Sequence, residues 1–193
     1  IFNVFSGTYY EQLVLTSVPG SSSVNTITFQ SQSGNPADVI LDFTALGTSD
    51  NYVVYLNGAD YIMLKKMTFT ASNSVGNAVV IRIAGNSEYN SIMGNVINGK
   101  ASSTLLYAYQ CSNHFNSITS NTFNSGYHGI YLEGISSSVP TSSLSITGNT
   151  FNAPAYNGMY LKYQDSPLVS GNNILNQGQQ GIHLDYCYND FEL

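Results

Sequence analysis

The unit Ile118-Thr119-Ser120-Asn121-Thr122-Phe123 returns 28 residues later as Ile146-Thr147-Gly148-Asn149-Thr150-Phe151, and 23 residues after that as Val169-Ser170-Gly171-Asn172-Asn173-Ile174. Upstream, Ile92-Met93-Gly94-Asn95-Val96-Ile97 lies 26 residues earlier, and Leu64-Lys65-Lys66-Met67-Thr68-Phe69 lies 28 before that. Thr26-Ile27-Thr28-Phe29 reads as a weaker first copy. Self-similarity at such a period restricts the chain to repeat architectures, in which one unit cannot bury its apolar face alone and stacks on its neighbours instead.

After a polar loop of variable length, each copy is followed by a second apolar run. These runs are Val53-Val54-Tyr55-Leu56, Val79-Val80-Ile81, Leu105-Leu106-Tyr107, Gly129-Ile130-Tyr131-Leu132, Gly158-Met159-Tyr160-Leu161 and Gly181-Ile182-His183-Leu184. They are short, β-branched or aromatic, alternating in character and bounded by Gly, Asn or Ser, which is the pattern of strands. No segment sustains a helical period. Short strands that hold register while the loops between them vary predict an all-β solenoid, a parallel β-helix of about six to seven coils, with residues 1–193 as one domain.

Stacking of such coils would place Phe29, Phe69, Ile97, Phe123, Phe151 and Ile174 in one interior column. The asparagines at 95, 121, 149 and 172 would form a second column at a turn, bonding to their equivalents above and below, a structural role. Residues 30–50 interrupt the pattern with a Gly-Asn-Pro turn and the strand Val39-Ile40-Leu41-Asp42-Phe43, extending this first coil to about 40 residues. Long excursions from a solenoid are where function often sits.

The chain has 5 Lys plus Arg against 11 Asp plus Glu, a formal charge of −6, and 15 Tyr. Nucleic acid is excluded as a partner, because affinity for the phosphate backbone needs many cations, and anionic membranes are disfavoured by the same argument. No apolar run of about 18 residues exists to span a bilayer. Cys111 and Cys187 fall about three coils apart, or on the order of 14 Å, beyond the roughly 7 Å that a disulfide allows, so two free thiols are expected. Ile1 to Ser6 lack the features of a signal peptide and the chain does not begin with Met, so it reads as a processed protein or a fragment of a longer one. Asp190-Phe191-Glu192-Leu193 falls where a further coil would begin and shows no polar cap, so further coils or another chain are expected to pack end-to-end against it.

Candidate functional residues follow from strand alternation. If Ile130 and Leu132 point inward, Tyr131 points outward, and Tyr55, Tyr107, Tyr160 and His183 share its column. Such an aromatic stripe suits ligand binding by stacking on sugar rings, and equally suits a self-stacking ladder that stiffens the sheet. Glu133, Lys162 and Asp185 take the next outward position on consecutive coils, a minus–plus–minus order that stabilises adjacent strands by roughly 0.2–1 kcal/mol per pair. Were the chain an enzyme, the catalytic residues would be Glu133, Asp185 and His183, although two coils separate the carboxylates' backbones by roughly 9–10 Å, at or beyond the inverting range. His114 and His128 read as surface loop residues without metal-ligand spacing. Asp165, with Asn189 and Asp190, offers oxygen donors for a weak calcium site; no other cofactor is expected. Of the adjacent Lys65 and Lys66, one is expected at a turn.

With these residues in view, the chain resembles the right-handed parallel β-helix superfamily that includes pectate lyases, pectin methylesterases and many large bacterial surface proteins. The opening Gly7-Thr8-Tyr9-Tyr10-Glu11, followed by Gln12-Leu13-Val14-Leu15, is similar to the start of many such helices. The segments Ile27 to Gly34 and Asn51 to Ile62 look closest to repeats of long exported bacterial surface proteins. The resemblance implies a right-handed helix, a secreted or cell-surface location, and an adhesin-type role with a polysaccharide or cell-surface glycan as partner. A polysaccharide lyase or hydrolase is the alternative, and a passive spacer the second. No catalytic residues carry over: the paired Asp with Arg and Gln of pectin methylesterases has no counterpart, and the lone Arg82 has no acidic cluster to accompany it as in pectate lyases.

Overall fold

A computed structural model describes residues 1–45, 47, 48, 50–72 and 76–189. In the central repeat the strand Ser117–Thr119 ends at Ser120, whose φ of 56° is left-handed, and Asn121 then leads into the strand Thr122–Asn124. Lys66, Gly94, Gly148 and Gly171 fill the same left-handed position on other coils, with φ of 51°, 65°, 63° and 63°. A single residue there turns the chain sharply, and glycine enters this region without a Cβ penalty, which explains three of the five choices. Lys66 is thus the lysine of the adjacent pair that sits in the turn.

Each coil supplies one strand to each of three parallel, seven-stranded sheets. The first coil contributes Phe2–Val4 to sheet A, Gly7–Tyr9 to sheet B and Leu13–Thr16 to sheet C. The last contributes Leu168–Ser170, Asn173–Leu175 and Gln180–Asp185. The result is the all-β solenoid the repeats predict, with seven coils.

The turn between sheets A and B is held by amide side chains inside the solenoid. Asn121 Oδ1 accepts from the backbone N–H of Asn95 at 2.9 Å and from Asn95 Nδ2 at 3.1 Å. Its own Nδ2 donates to Ile92 O at 2.8 Å and to Asn149 Oδ1 at 3.0 Å. Asn149 repeats the pattern toward Asn172, and Asn95 Oδ1 accepts from Met67 N–H. Asn95, Asn121 and Asn149 are each 1% exposed, so these bonds satisfy polar groups that water cannot reach. A second ladder, not evident from the repeats, precedes the sheet A strands: Asn90 Oδ1 accepts from Ile62 N–H, and Asn116 Oδ1 from Asn90 N–H, each at 2.8 Å. A third, half-buried, runs through Asn98, Asn124 and Asn152 on sheet B.

The aromatic column of sheet B runs Leu41, Phe69, Ile97, Phe123, Phe151, Ile174 in register. Phe123 and Phe151 stack at 4.7 Å with planes 3° apart. Phe29 does not belong to it. It pairs with Phe2 and Leu64 on sheet A, stacking on Phe2 at 4.9 Å, because Thr26 to Phe29 matches the strand before the turn rather than the whole motif. The column position is taken by Leu41, from the Val39–Asp42 strand. The strand Val39–Asp42 therefore belongs to the second coil, whose register partners Phe29 and Leu64 are 35 residues apart, and a complete coil precedes it.

On the last three coils the second residue of the sheet C strand is glycine. A Cβ on Gly129 would lie 2.5 Å from a Phe151 ring carbon, and one on Gly158 would lie 2.5 Å from Gly181 O and 2.8 Å from Ile174 Cγ2. Earlier coils carry Val53, Val80 and Leu105 before the same inward position. Cys111 and Cys187 are free thiols, three coils apart, as their spacing requires. No helix of the described residues is long and apolar enough to cross a membrane.

Two stability predictions follow from the ladder and the glycines. Asn121→Ala leaves several buried groups unpaired and is expected to lower unfolding free energy by about 2–4 kcal/mol, whereas Asn152→Ala, on the half-buried ladder, costs less than about 1 kcal/mol. Gly158→Ala forces the backbone of the next coil to move and is expected to cost about 1–3 kcal/mol. Urea unfolding of the three variants checks both; equal midpoints for Asn121→Ala and Asn152→Ala would contradict the ladder's role.

Candidate functional site

Strand alternation on sheet C sends Leu106, Ile130 and Met159 inward and their successors outward. Register pairing then builds one outer column: Val14, Tyr55, Arg82, Tyr107, Tyr131, Tyr160, His183. All from Tyr55 onward are half-buried. The expected tyrosines are brought together in sequence order, and His183 completes the row. Arg82 occupies the third coil's place in the column, with its guanidinium carbon 5.0 Å from the centroid of the Tyr55 ring.

The column is not uniform. Tyr131 and Tyr160 stack face to face at 4.6 Å with planes 17° apart, so each covers a ring face of the other. Tyr107 is tilted 33° against Tyr131 at 5.4 Å, and on its other side stands Arg82 rather than a ring. There the surface dips into a groove of about 350 Å³ lined by Thr48, Asn51, Asn77, Arg82, Thr104 and Tyr107. Thr48 and Asn51 come from or follow the irregular segment flagged in the sequence, and they deliver it to this face.

The neighbouring outward column carries the charges. Lys162 Nζ lies 3.7 Å from Glu133 Oε1 and 3.7 Å from Asp185 Oδ2, the minus–plus–minus order expected. Because both carboxylates reach one ammonium, their nearer oxygens are no more than twice that distance apart, closer than their backbones. Glu133 is not a surface group: it is 6% exposed and accepts a 2.9 Å hydrogen bond from Tyr131 Oη. Tyr160 Oη donates to Asp185 at 3.4 Å. Burial, and then the hydrogen bond to Glu133, push the Tyr131 phenol well above its ordinary range, and burial raises Tyr107 and Tyr160 as well.

Both histidines read as surface loops are located differently. His114 is half-buried in the turn before Ser117–Thr119, its Nδ1 accepting from Ser142 N–H at 2.9 Å, which places its proton on Nε2. His128 begins the strand His128–Glu133 and is 9% exposed. Four tyrosines surround it: Tyr127 at 4.8 Å and Tyr156 at 5.5 Å approach edge-on, Tyr131 lies at 5.4 Å and Tyr160 at 6.3 Å. Tyr127 and Tyr156 stack on each other at 4.8 Å with planes 7° apart. The register partner of His128 on the next coil is Asn157, which is fully buried. A Tyr-x-Gly step with a polar middle residue at the start of the sheet C strands, at Tyr127-His128-Gly129 and Tyr156-Asn157-Gly158, is the sequence signal for this cage.

Asp165 Oδ1 accepts from Ser166 Oγ and from Asn189 Nδ2, so Asn189 turns its amide nitrogen, not its oxygen, toward the carboxylate. Asp190 lies outside the described residues. Among the described residues no three His, Cys, Asp or Glu side chains converge on a common metal position.

Burial, followed by the charge of His183, lowers the His128 pKa from 6.5 to about 4. Between those values the unfolded chain binds a proton that the folded chain does not, so stability is full above pH 6.5 and falls as pH drops toward 4, by up to about 3 kcal/mol. Urea unfolding at pH 7 and pH 4.5 is expected to show a larger loss for the wild type than for His128→Phe; equal losses would contradict it.

Of the comparisons with known proteins, the family model described below agrees with the architecture. No curated protein matches the sequence. Among solved structures, a pectin methylesterase from Yersinia enterocolitica is similar at 14% identity and a TM-score of 0.45, over 84% of this chain and 64% of that one. The chain thus spans less than two thirds of that enzyme's length. The family model described as "Right handed beta helix region" matches residues 79–190, more than half of the chain, and the protein belongs to that family.

Proposed function

We propose that this is an exported, surface-associated β-helix whose sheet C binds polysaccharide without cleaving it, in the manner of an adhesin segment. The observation that carries the reading is the groove beside Tyr107 and Arg82, lined by residues of three successive coils at the point where Arg82 interrupts the aromatic column. Binding sites for sugars combine an apolar ring surface with a few oriented polar groups. Tyr107 supplies the first, and Arg82, Asn77 and Thr104 supply the second. Tyr131 and Tyr160 serve mainly to stiffen the sheet, since their faces are occupied by each other. Their hydroxyls and His183 extend the edge along which a polymer would lie. A cell-surface or extracellular place suits such a partner.

A second reading, polysaccharide cleavage, is favoured by one observation: Glu133 and Asp185 approach the same ammonium, within reach of the separation that inverting glycosidases use. Against it, Lys162 stands between the two carboxylates, and tyrosine hydroxyls hold both of them. The third reading, a spacer, requires that nothing binds.

Affinity gels cast with soluble polysaccharides, followed by calorimetry on oligosaccharides of any retarding polymer, test the proposal. Arg82→Ala and Tyr107→Ser are each expected to weaken binding about tenfold, while Tyr89→Ser, on the turn before sheet A, leaves it unchanged. Release of new reducing ends or unsaturated products would establish cleavage instead, and retention by no polymer would leave the spacer.

A further inference from the structure

We propose that His128 and Asn157 form a covered seat for one sugar unit of a neutral polysaccharide, with the Tyr127–Tyr156 pair as its lid. This rests on the polysaccharide-binding reading of sheet C and adds to it a place and a class of sugar. Asn157 is 0% exposed, and neither its Nδ2 nor its Oδ1 has a protein partner among the described residues; His128 Nδ1, on the adjacent strand, has none either. Buried polar groups in folded proteins are almost always bonded. The ladder asparagines obey that rule with amide and backbone partners on the coils above and below, so the same residue type in the same solenoid is treated differently on sheet C.

The three atoms match one chemistry. An amide sets a donor and an acceptor side by side, which is the complement of two vicinal ring hydroxyls, one accepting and one donating. His128 Nδ1 adds a third contact one strand away. Phenol rings make up the rest of the wall: Tyr127, Tyr131, Tyr156 and Tyr160 all lie within 6.3 Å of the His128 ring, and because each stacked pair turns its faces on itself, they offer a sugar apolar ring edges rather than a stacking face. None of these groups carries a cation that would compensate a buried carboxylate or sulfate, so the seat selects an uncharged sugar.

Position and access agree with this use. Thr104, His128, Asn157 and Gln180 are register neighbours on sheet C, and Thr104 also lines the Tyr107–Arg82 groove, so the seat lies on the groove's continuation along the solenoid. Tyr127, 42% exposed, forms one wall of an open depression of about 410 Å³ with Asn77, Ala101 and Ser102. The proposal requires the Tyr127 ring to leave its stack on Tyr156 and turn into that space, uncovering His128. Asn77 borders both the groove and the depression, which joins them into one path.

The test is calorimetric titration of the protein with cellohexaose, xylohexaose, mannohexaose and, as the acidic counterpart, hexagalacturonate. One neutral hexasaccharide is expected to bind, and Asn157→Ala to weaken it at least tenfold, since two hydrogen bonds are lost. The melting temperature of unliganded Asn157→Ala is expected to equal or exceed that of the wild type, because the amide makes no bond in the free protein. His128→Phe, which keeps a ring in the cage, is the second variant and weakens binding severalfold. Undiminished affinity in both variants, with binding still lost in Tyr107→Ser, overturns the seat and leaves the sheet C reading standing. Binding of the acidic oligomer alone overturns the neutral class, a lower melting point with unchanged affinity assigns Asn157 a structural role, and binding of none of the four overturns both the seat and the reading beneath it.

Discussion

A hydrogen bond between a side-chain amide on one coil and the backbone of the next is the constraint on which the solenoid depends. At the turn between sheets A and B the chain has no room for a loop, and its inward N–H and C=O groups cannot reach water. Asn121 answers for Asn95 and Ile92, Asn149 answers for Asn121 and Ile118, and each therefore needs an identical residue one coil away. Register follows from that need. Once the amides are aligned, Phe123 stands over Phe151, and the left-handed position must be filled by glycine or a residue that tolerates it.

Register then decides what the outside can do. Parallel stacking multiplies any outward residue into a column, so a single Tyr becomes a stripe and a single charge must be balanced by its neighbours. Glu133, Lys162 and Asp185 show the second effect, with one ammonium held between two carboxylates. The tyrosines show the first, and the place where it fails is the more informative: Arg82 and the coil-spanning groove fall where the stack is broken. Function on a solenoid is expected at such departures, because a perfect column leaves its ring faces occupied.

The features legible in the sequence are those that repeat. The Asn column, the Phe123–Phe151 pair, the Tyr55, Tyr107, Tyr131, Tyr160 and His183 column and the charge triplet all follow from aligning like with like. Misreadings arose where alignment was degenerate or the deciding contact came from elsewhere in space. Phe29 matched the motif's last residue in type but its strand pairs on sheet A. Asn90-Ser91-Ile92 and Asn116-Ser117-Ile118 are a repeat 26 residues apart, masked by the stronger motif that follows each. His128 looked like a loop residue because what buries it, Tyr127 and Tyr156, comes from two different coils. Glu133 sits at an outward position and is nonetheless buried, since Tyr131 and Lys162 close over it.

The most direct measurement of the central claim, that sheet C is the face on which a polymer lies, is a crystal structure of the protein soaked with a neutral oligosaccharide that it binds in solution. The account requires sugar density running along the solenoid axis, beginning beside Tyr107 and Arg82 and continuing toward His128 and Asn157 with Tyr127 displaced. Sugar bound on sheet A or on sheet B, with sheet C bare, would contradict it.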